Sequence, residues 1–565
     1  MYYSRLFGKT TKTIPRGAKL NSHKLLYRGG FIRQSAAGYY YFLPLGWMVH
    51  QKIEKLIRDE MNQIGAQEML SPTLHPIELW QETNRTSAVA FELMTIKSRT
   101  GAEFALGGTA EEMFVNLVRN LNLSYRDLPF NLYQFSTKFR DELRSRGGLL
   151  RVREFIMKDA YSFDRDEAEF KKEYEKMKET YRKIFIRLGL DTTLMVEADS
   201  GYIGGDYCHE FVYPSGVGED EVFICSNCDY QANGDRAEFL REEKNPNEEI
   251  KPLEIVSQPE WVETMADNVK HYGQPRWRYL KNVVYKDDQN RIIIACLRGD
   301  QEVNELKLKK ALGVVGLTAA VDDDLMALGS RSGWVHSWGH KGAIYIGDLG
   351  LRSVRNFIGG QKEINTDSIN VNYGRDFEYE QLADITNAYD GAPCSRCSGG
   401  KLKKQTGIEV GHIFQLGYHY TKLMKGADFV DEDGQRRPFY MGCYGIGLGR
   451  TLATVVEACH DQNGIVWPKE IAPFQVHLIV LGENSIEANK IYHQLIKNGF
   501  EVLYDDREKV LAGEKFAEAD LIGIPIRLVI SSKTNNKIEW KERGKKEIEL
   551  IQYSEVTERL TRIFS

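Results

Sequence analysis

The run FRDELRSRGGLLRVREF, residues 139–155, constrains this chain more than any other stretch. Two arms carrying arginines and carboxylates flank Gly147-Gly148, and the pattern predicts two strands joined by a bend. Residues two apart on a strand face the same side. Arg140 and Glu142 are therefore expected together on one arm, and Arg151 and Arg153 on the other. Inward arginines on such a pair clamp a phosphate through bidentate, charge-assisted hydrogen bonds. Phe155 then offers a flat face to a purine. Taken alone, the run reads sooner as a salt-bridged surface hairpin.

A second run changes that weighting. GCYGIGLGRTLATVVE, residues 442–457, sets glycines that permit close backbone approach ahead of a helix with Arg450 near its start. Together the two runs resemble motifs 2 and 3 of the class II aminoacyl-tRNA synthetases. GWMVHQKIEKLIRDEMNQIGAQEMLSP, residues 46–72, is similar to motif 1. The HIGH and KMSKS marks of the other synthetase class are absent from the chain. GGTAEE (107–112), KDAYSF (158–163), SGYIGGDYCHEF (200–211) and EVGHIFQLG (409–417) narrow the resemblance to bacterial-type prolyl-tRNA synthetases over nearly the whole length.

The resemblance implies an α/β multidomain protein with an α+β catalytic core built on the class II antiparallel sheet. The core would occupy 1–224 and 398–467, split by an inserted α/β editing-like domain over 225–397, with an α/β anticodon-binding domain over 468–565. It implies ligation of proline to tRNA(Pro) with ATP and Mg2+, in a homodimer formed through the motif 1 region. Fixed cations are the main catalytic device for such phosphoryl chemistry. Arg140 would hold the α-phosphate and the proline carboxylate, and Arg450 the γ-phosphate. Glu142 and Arg151 would take the adenine and phosphate end, Phe155 would stack on the ring, and Gly447 would belong to the ATP site. Thr109 and Glu111 would accept the secondary ammonium of proline, with Glu112 supporting their loop. His209 and His412 either line this site or are satisfied core histidines. Cys443 either touches substrate or is a small buried hydrophobe. No residue is implied as a covalent nucleophile, and no general base is evident.

The insertion answers a physical need. A proline pocket rejects smaller alanine only weakly, because lost methylenes are worth about 1–3 kcal/mol. LKNVVY and RGDQEVNELKL resemble the family's editing insertion, with Lys281 at the functional lysine, where it would hold the terminal phosphate or ribose of tRNA. A lysine flanking a buried strand reads the same way. Here the chain departs from the family. It has SGWVHSWGHKG in place of a glycine-proline loop, and Asp367 near the expected histidine. His336 and His340, in the altered loop, receive no role. The pairs Cys225/Cys228 and Cys394/Cys397 bracket the insertion with the spacing of a structural tetrahedral zinc site. Two free dithiols would leave the same pattern.

The remaining readings are coarser. A formal net charge of -5 excludes a generally basic nucleic-acid binder, so tRNA contact needs local basic patches. Eight cysteines in 565 residues do not form a disulfide scaffold and suit a reducing cytoplasm. No apolar run reaches membrane-spanning length. The basic start, MYYSRLFGKTTKTIPRGAK, reads as a tRNA contact or a flexible terminus. A helix is expected over 166–188, with a buried stripe from Phe170 to Leu188 and a cap formed by Asp164 and Glu167. The tail reads as alternating α and β, and Arg507 and Lys515 are candidate tRNA contacts or solvated charges. Two rivals remain: a class II enzyme for threonine, which Thr109-Ala110-Glu111 argues against, and a non-catalytic paralogue, against which both motif arginines stand.

Overall fold

The computed structural model describes residues 1–86, 93–205, 207–361, 363–483 and 485–564. The chain divides into two compact units. The first holds 1–194, 202–217 and 408–565, and the second holds 195–201 and 218–407.

The first unit is organised by an antiparallel sheet. Leu402–Gly417, which begins in the second unit, pairs with Tyr440–Gly447, which pairs in turn with Glu154–Asp164 and then Phe130–Phe139. The short strand Gln67–Glu68 closes this edge in parallel. Phe139 pairs with Glu154 at the end of the central hairpin. Arg140 and Glu142 therefore lie past the first strand, and Arg151 and Arg153 lie before the second, against the expectation that strands carry them. Residues 140–153 form a loop whose ladder is the single bridge Arg146–Arg151. Gly147 and Gly148 turn there with φ of 69° and 65°, a region only glycine enters readily. One further backbone bond, from the Arg140 amide to the Arg153 carbonyl at 2.9 Å, closes the base of the loop.

The helix Glu167–Arg187 packs on one face of the sheet, where Phe170, Tyr174, Met177, Tyr181, Ile184 and Phe185 are buried. Its cap is Asp166, which accepts from the amides of Ala168 and Glu169, and not Asp164. Asp164 points inward, takes a hydrogen bond from Ser162, and is pushed up to about 8 by burial. Lys158 is also fully buried on this face. It donates to the Tyr181 hydroxyl at 2.7 Å and the Tyr444 carbonyl at 3.0 Å. Burial pulls its ammonium down to about 7, against the opposing charge of Asp159. Between that pH and the unfolded value of about 10.4, the unfolded chain holds a proton that the folded one lacks, so stability rises with pH. Lys158→Met is expected to raise the melting temperature at pH 6 by roughly 2–4 °C or more. The gain should shrink as pH climbs toward 10, and a gain independent of pH would contradict this account.

The tail forms a five-stranded sheet in the order Val502–Asp505, Val476–Val480, Ile526–Ile530, Ile538–Glu542, Glu549–Ile551. The first three strands are parallel, and the last two join antiparallel. Ser485–Lys497 and Val556–Phe564 contribute to its core, with Ala488, Ile491, Leu495 and Leu560 buried against Val476, Leu478 and Leu528. The N-terminus is tied to this sheet through its first three residues, while Phe7 and Ile14 further along stay exposed. The Met1 ammonium donates to the Val502 carbonyl, Tyr2 bridges Tyr504, and Tyr3 is fully buried. Its aromatic residues outweigh its basic ones, because they fill the edge of the tail's core. Arg507 and Lys515 are likewise used internally. Arg507 pairs with Asp505 and Glu518 and covers the Tyr3 ring at 3.9 Å, and buried Lys515 donates to the Val480 carbonyl.

The second unit contains a five-stranded mixed sheet, ordered Leu317–Ala319, Leu280–Asp287, Ile292–Arg298, Ala343–Asp348, Leu382–Ala383. A three-stranded antiparallel sheet, Glu254–Ser257, Thr366–Val371, Phe357–Gly360, accompanies it. Among the described residues no helix is long and apolar enough to cross a membrane.

Candidate active site

The loop after Phe130–Phe139 gathers its charges around Glu142. Arg151 donates to the Glu142 carboxylate, 2.6 Å away at closest, and Arg153 donates to the Glu142 carbonyl at 2.9 Å. Arg140 behaves differently. Its backbone amide is fixed to the Arg153 carbonyl, while its guanidinium lies over the Phe155 ring at 5.2 Å. Arg140 Nε is buried with no partner among the described residues. A guanidinium with buried, uncommitted donors is suited to an anion.

Arg450 sits in the first turn of Leu448–Ala458, with Gly447 at the cap position. It donates to the Leu150 carbonyl at 2.9 Å and to the Glu409 carboxylate at 2.8 Å, tying the motif 2 loop to the helix. Glu409 also lies 3.3 Å from His412 Nδ1. Burial alone would raise the Glu409 carboxyl, but the His412 contact and the charges of Arg450 and Arg140 hold it at about 2. The same surroundings act oppositely on His412. Burial disfavours its cation, yet Cys208, Glu409 and Glu210 drive its titration well above the ordinary value. The cluster thus sets two arginines and a histidinium about two carboxylates, Glu409 and Glu210, and the surplus positive charge suits polyphosphate. The glycines before this helix differ in purpose. A Cβ at Gly442 would meet the Tyr444 hydroxyl at 2.3 Å and Phe170 at 2.6 Å, so packing requires that glycine. At Gly445 and Gly447 the nearest atoms are 3.6 Å and 3.9 Å away, which leaves the strand end open.

Thr109, Glu111 and Glu112 form a separate, fully internal group. Thr109 Oγ1 donates to Glu111 Oε2 at 2.5 Å, and Arg85 Nη1 reaches Glu111 at 3.3 Å and Glu112 at 2.8 Å. Thr83 donates to the same Glu112 oxygen as Arg85, at 2.8 Å, while Glu112 Oε2 is buried with no partner among the described residues. The Ala110 amide donates to the Tyr161 hydroxyl, which donates to Asp159. Gln134 and Lys138 donate to the same Asp159 oxygen. Cys443 lies against Glu111 from the neighbouring strand, and burial, then that carboxylate, push its thiol well up. His209 is engaged on both nitrogens, with the Tyr174 hydroxyl at 2.9 Å and the Tyr207 hydroxyl at 2.8 Å. Burial takes it down to about 4, so it stands as a neutral ring in the wall.

In the second unit Lys281 pairs with Glu302 and donates to the Gln301 carbonyl at 3.2 Å. Asp367 accepts from the Tyr272 hydroxyl at 2.7 Å, and burial raises its carboxyl. His336 and His340 bind one another's loop: the His336 amide donates to His340 Nε2 at 3.1 Å. The four expected cysteines meet. Cys225, Cys228, Cys394 and Cys397 hold their sulfurs within 4.8 Å of one another, with Cys225–Cys397 at 3.6 Å and Cys228–Cys394 at 3.8 Å. A ZnS4 tetrahedron with bonds of about 2.3 Å has edges of about 3.8 Å. The amides of Asn227 and Arg396 point at Cys225 and Cys394, each at 3.3 Å, which favours thiolate. A Cβ at Gly400 would strike two of these sulfurs at 2.5 and 2.6 Å.

The sequence reading passed over Glu409, Arg85 and Asp159. Glu409 lay inside a quoted motif but resembled any strand glutamate, and Arg85 had no local signal at all.

Family comparison extends these observations. A family described as tRNA synthetase class II core domain (G, H, P, S and T) matches residues 94–459, and one described as anticodon binding domain matches 475–563. A Proline--tRNA ligase of Pelobacter propionicus is 43% identical, covering 100% of this chain and 98% of its own length. Those of Sulfurihydrogenibium sp. and Persephonella marina are 44% and 45% identical, covering 99% and 97% of this chain and 99% and 98% of their own.

Proposed function

The chain belongs to the proline–tRNA ligases of the class II aminoacyl-tRNA synthetases, and on that premise we propose how its residues divide the work. The ligase activates proline with ATP and transfers it to tRNA. In activation the proline carboxylate attacks the α-phosphorus and pyrophosphate leaves. In transfer a terminal ribose hydroxyl attacks the adenylate carbonyl and AMP leaves. The observation that carries the reading is the Arg140 guanidinium, uncommitted at Nε beside the Glu409–Arg450 pair.

Arg140 spans the proline carboxylate and the α-phosphate, holding the two reactants in line and meeting charge that grows on the phosphoryl oxygens. Arg450 takes the γ-phosphate, Glu142 and Arg151 the adenine edge and adjoining phosphate, and Phe155 the purine face. The open strand end at Gly447 admits the nucleotide. Magnesium, which this chemistry generally needs to neutralise phosphate charge, would find hard oxygen donors at Glu142 and Glu409. Thr109 and Glu111 accept the secondary ammonium. His209 and His412 form the wall, the first as a neutral ring and the second as a cation. Glu111→Gln is expected to raise the proline KM by about 10–100-fold while changing the ATP KM little. The test is pyrophosphate exchange with proline, threonine and alanine in parallel. Exchange with threonine above proline would overturn the selectivity.

The core occupies 1–224 and 398–467, the insertion 225–397, and the anticodon-binding domain 468–565. Two chains pair through the motif 1 segment, which leaves Trp47 and Leu70 exposed in a single chain. The cysteine set holds a structural Zn2+, and thiolate ligands suit a reducing cytoplasm.

The insertion hydrolyses alanyl-tRNA(Pro), with Lys281 leaving Glu302 to hold the tRNA end. Lys281→Ala should abolish alanine release from alanyl-tRNA(Pro) and leave proline-dependent exchange intact. Undiminished release in that variant rejects the assignment.

A further inference from the structure

Arg85 takes no part in the division of labour above, yet it is one of the most enclosed charges in the first unit, 4% exposed. The helix Ile77–Glu82 ends on Asn84 in the left-handed region, φ 59°, and the Arg85 amide returns to the Trp80 carbonyl. That turn sends the side chain inward over the Trp80 ring at 4.7 Å, toward Glu111 and Glu112. We propose that Arg85 is a positioning residue for proline selection: its guanidinium balances one of two buried carboxylates, so that the substrate's secondary ammonium balances the other.

The charges surrounding the pair support this count. Lys138, on the neighbouring strand, is matched by Asp159 at 3.0 Å. His75 is held near 3 by burial, then by Lys138, and is therefore neutral. Tyr161, Tyr420 and Cys443, facing the group from three further elements, are pushed well up and stay neutral. Among the described residues Arg85 is the one cation within hydrogen-bond reach of either carboxylate. Burial pushes Glu112 up, and Arg85 opposes it. Without the guanidinium, two adjacent buried carboxylates would retain a shared proton. The substrate ammonium would then have to displace it.

The inference rests on Glu111 as the ammonium acceptor. Pyrophosphate exchange by the full-length enzyme, from pH 6 to 8.5, tests it. Arg85→Met is expected to raise the proline KM by about 10–100-fold at pH 7, with the ATP KM within about threefold. That proline KM should fall as pH rises, whereas the unaltered enzyme's stays flat. Adding Glu112→Gln to Arg85→Met removes the surplus charge, and should recover at least about tenfold and flatten the profile. Arg85→Lys, which keeps the charge, should keep the profile flat and carries the comparison if Arg85→Met fails to fold. Equal damage to both KM values and kcat, or no recovery with Glu112→Gln, would overturn the role of Arg85. An unchanged proline KM in Glu111→Gln would instead overturn the reading of Glu111 itself.

Discussion

Arg140→Ala is expected to reduce proline-dependent pyrophosphate exchange by about 10³-fold or more. Removing a single preorganised donor to developing charge costs about 10²–10³ in rate, and this guanidinium serves both reactants. The effect should fall on chemistry and not on folding. The loop is held through the Arg140 backbone amide, which alanine keeps, and through Glu142 with Arg151 and Arg153. In the unliganded site the lost side chain contributes its contact with Phe155 and a part of the positive charge that keeps Glu409 ionised. Arg140→Lys should recover little, since an ammonium cannot span a carboxylate and a phosphate bidentately. Arg450→Ala is the less clean experiment, because it leaves Glu409 facing His412 without its arginine. Exchange within tenfold of the unaltered enzyme in Arg140→Ala would remove the central element of the proposed mechanism.

The second large effect concerns the cysteines. Purified protein should carry one zinc per chain by elemental analysis, and Cys394→Ser should lose it. Structural zinc contributes about 10–16 kcal/mol in small domains, more than most domains have in total stability. Around this site lies a small apolar cluster, Phe223, Tyr230, Ala232, Phe239, Ala392 and Leu402, beside the ladder of Asp220–Cys225 with Gln231–Asn233 and Leu402–Gly417. Hydrogen exchange over 220–240 and 388–402 should therefore rise sharply in Cys394→Ser and after chelation. Metal-free protein with four titratable thiols and unchanged exchange would identify two free dithiols instead.

Much of the chemistry was legible in the chain because it is carried by local runs. The arginine-rich segment at 139–155, the glycine-rich turn before Arg450 and the 3.6-residue stripe from Phe170 to Phe185 each announce an element within a few turns of backbone. Their errors are local too. The strands stop at Phe139 and Glu154, short of the arginines, and residues 140–153 run as a loop turning on Gly147 and Gly148. The helix cap moved from Asp164 to Asp166 because a buried carboxyl beside Ser162 left the first position to packing. The N-terminus shows the same limit: its charge is visible in composition, while the burial of Tyr3 against the tail is not.

The sequence by itself determined which residues bear the chemistry, through motif and spacing: the two arginines, the Thr109-Ala110-Glu111 turn, and two cysteine pairs each able to make half a tetrahedral site. Only the tertiary structure decided which of them meet. Cys225 reaches Cys397 across the entire insertion, Glu409 becomes the anion between Arg450 and His412, and Arg85 arrives at Glu111 and Glu112 from a separate loop. Electrostatic partnership depends on distance in space and on exclusion of water, and neither is a function of separation along the chain.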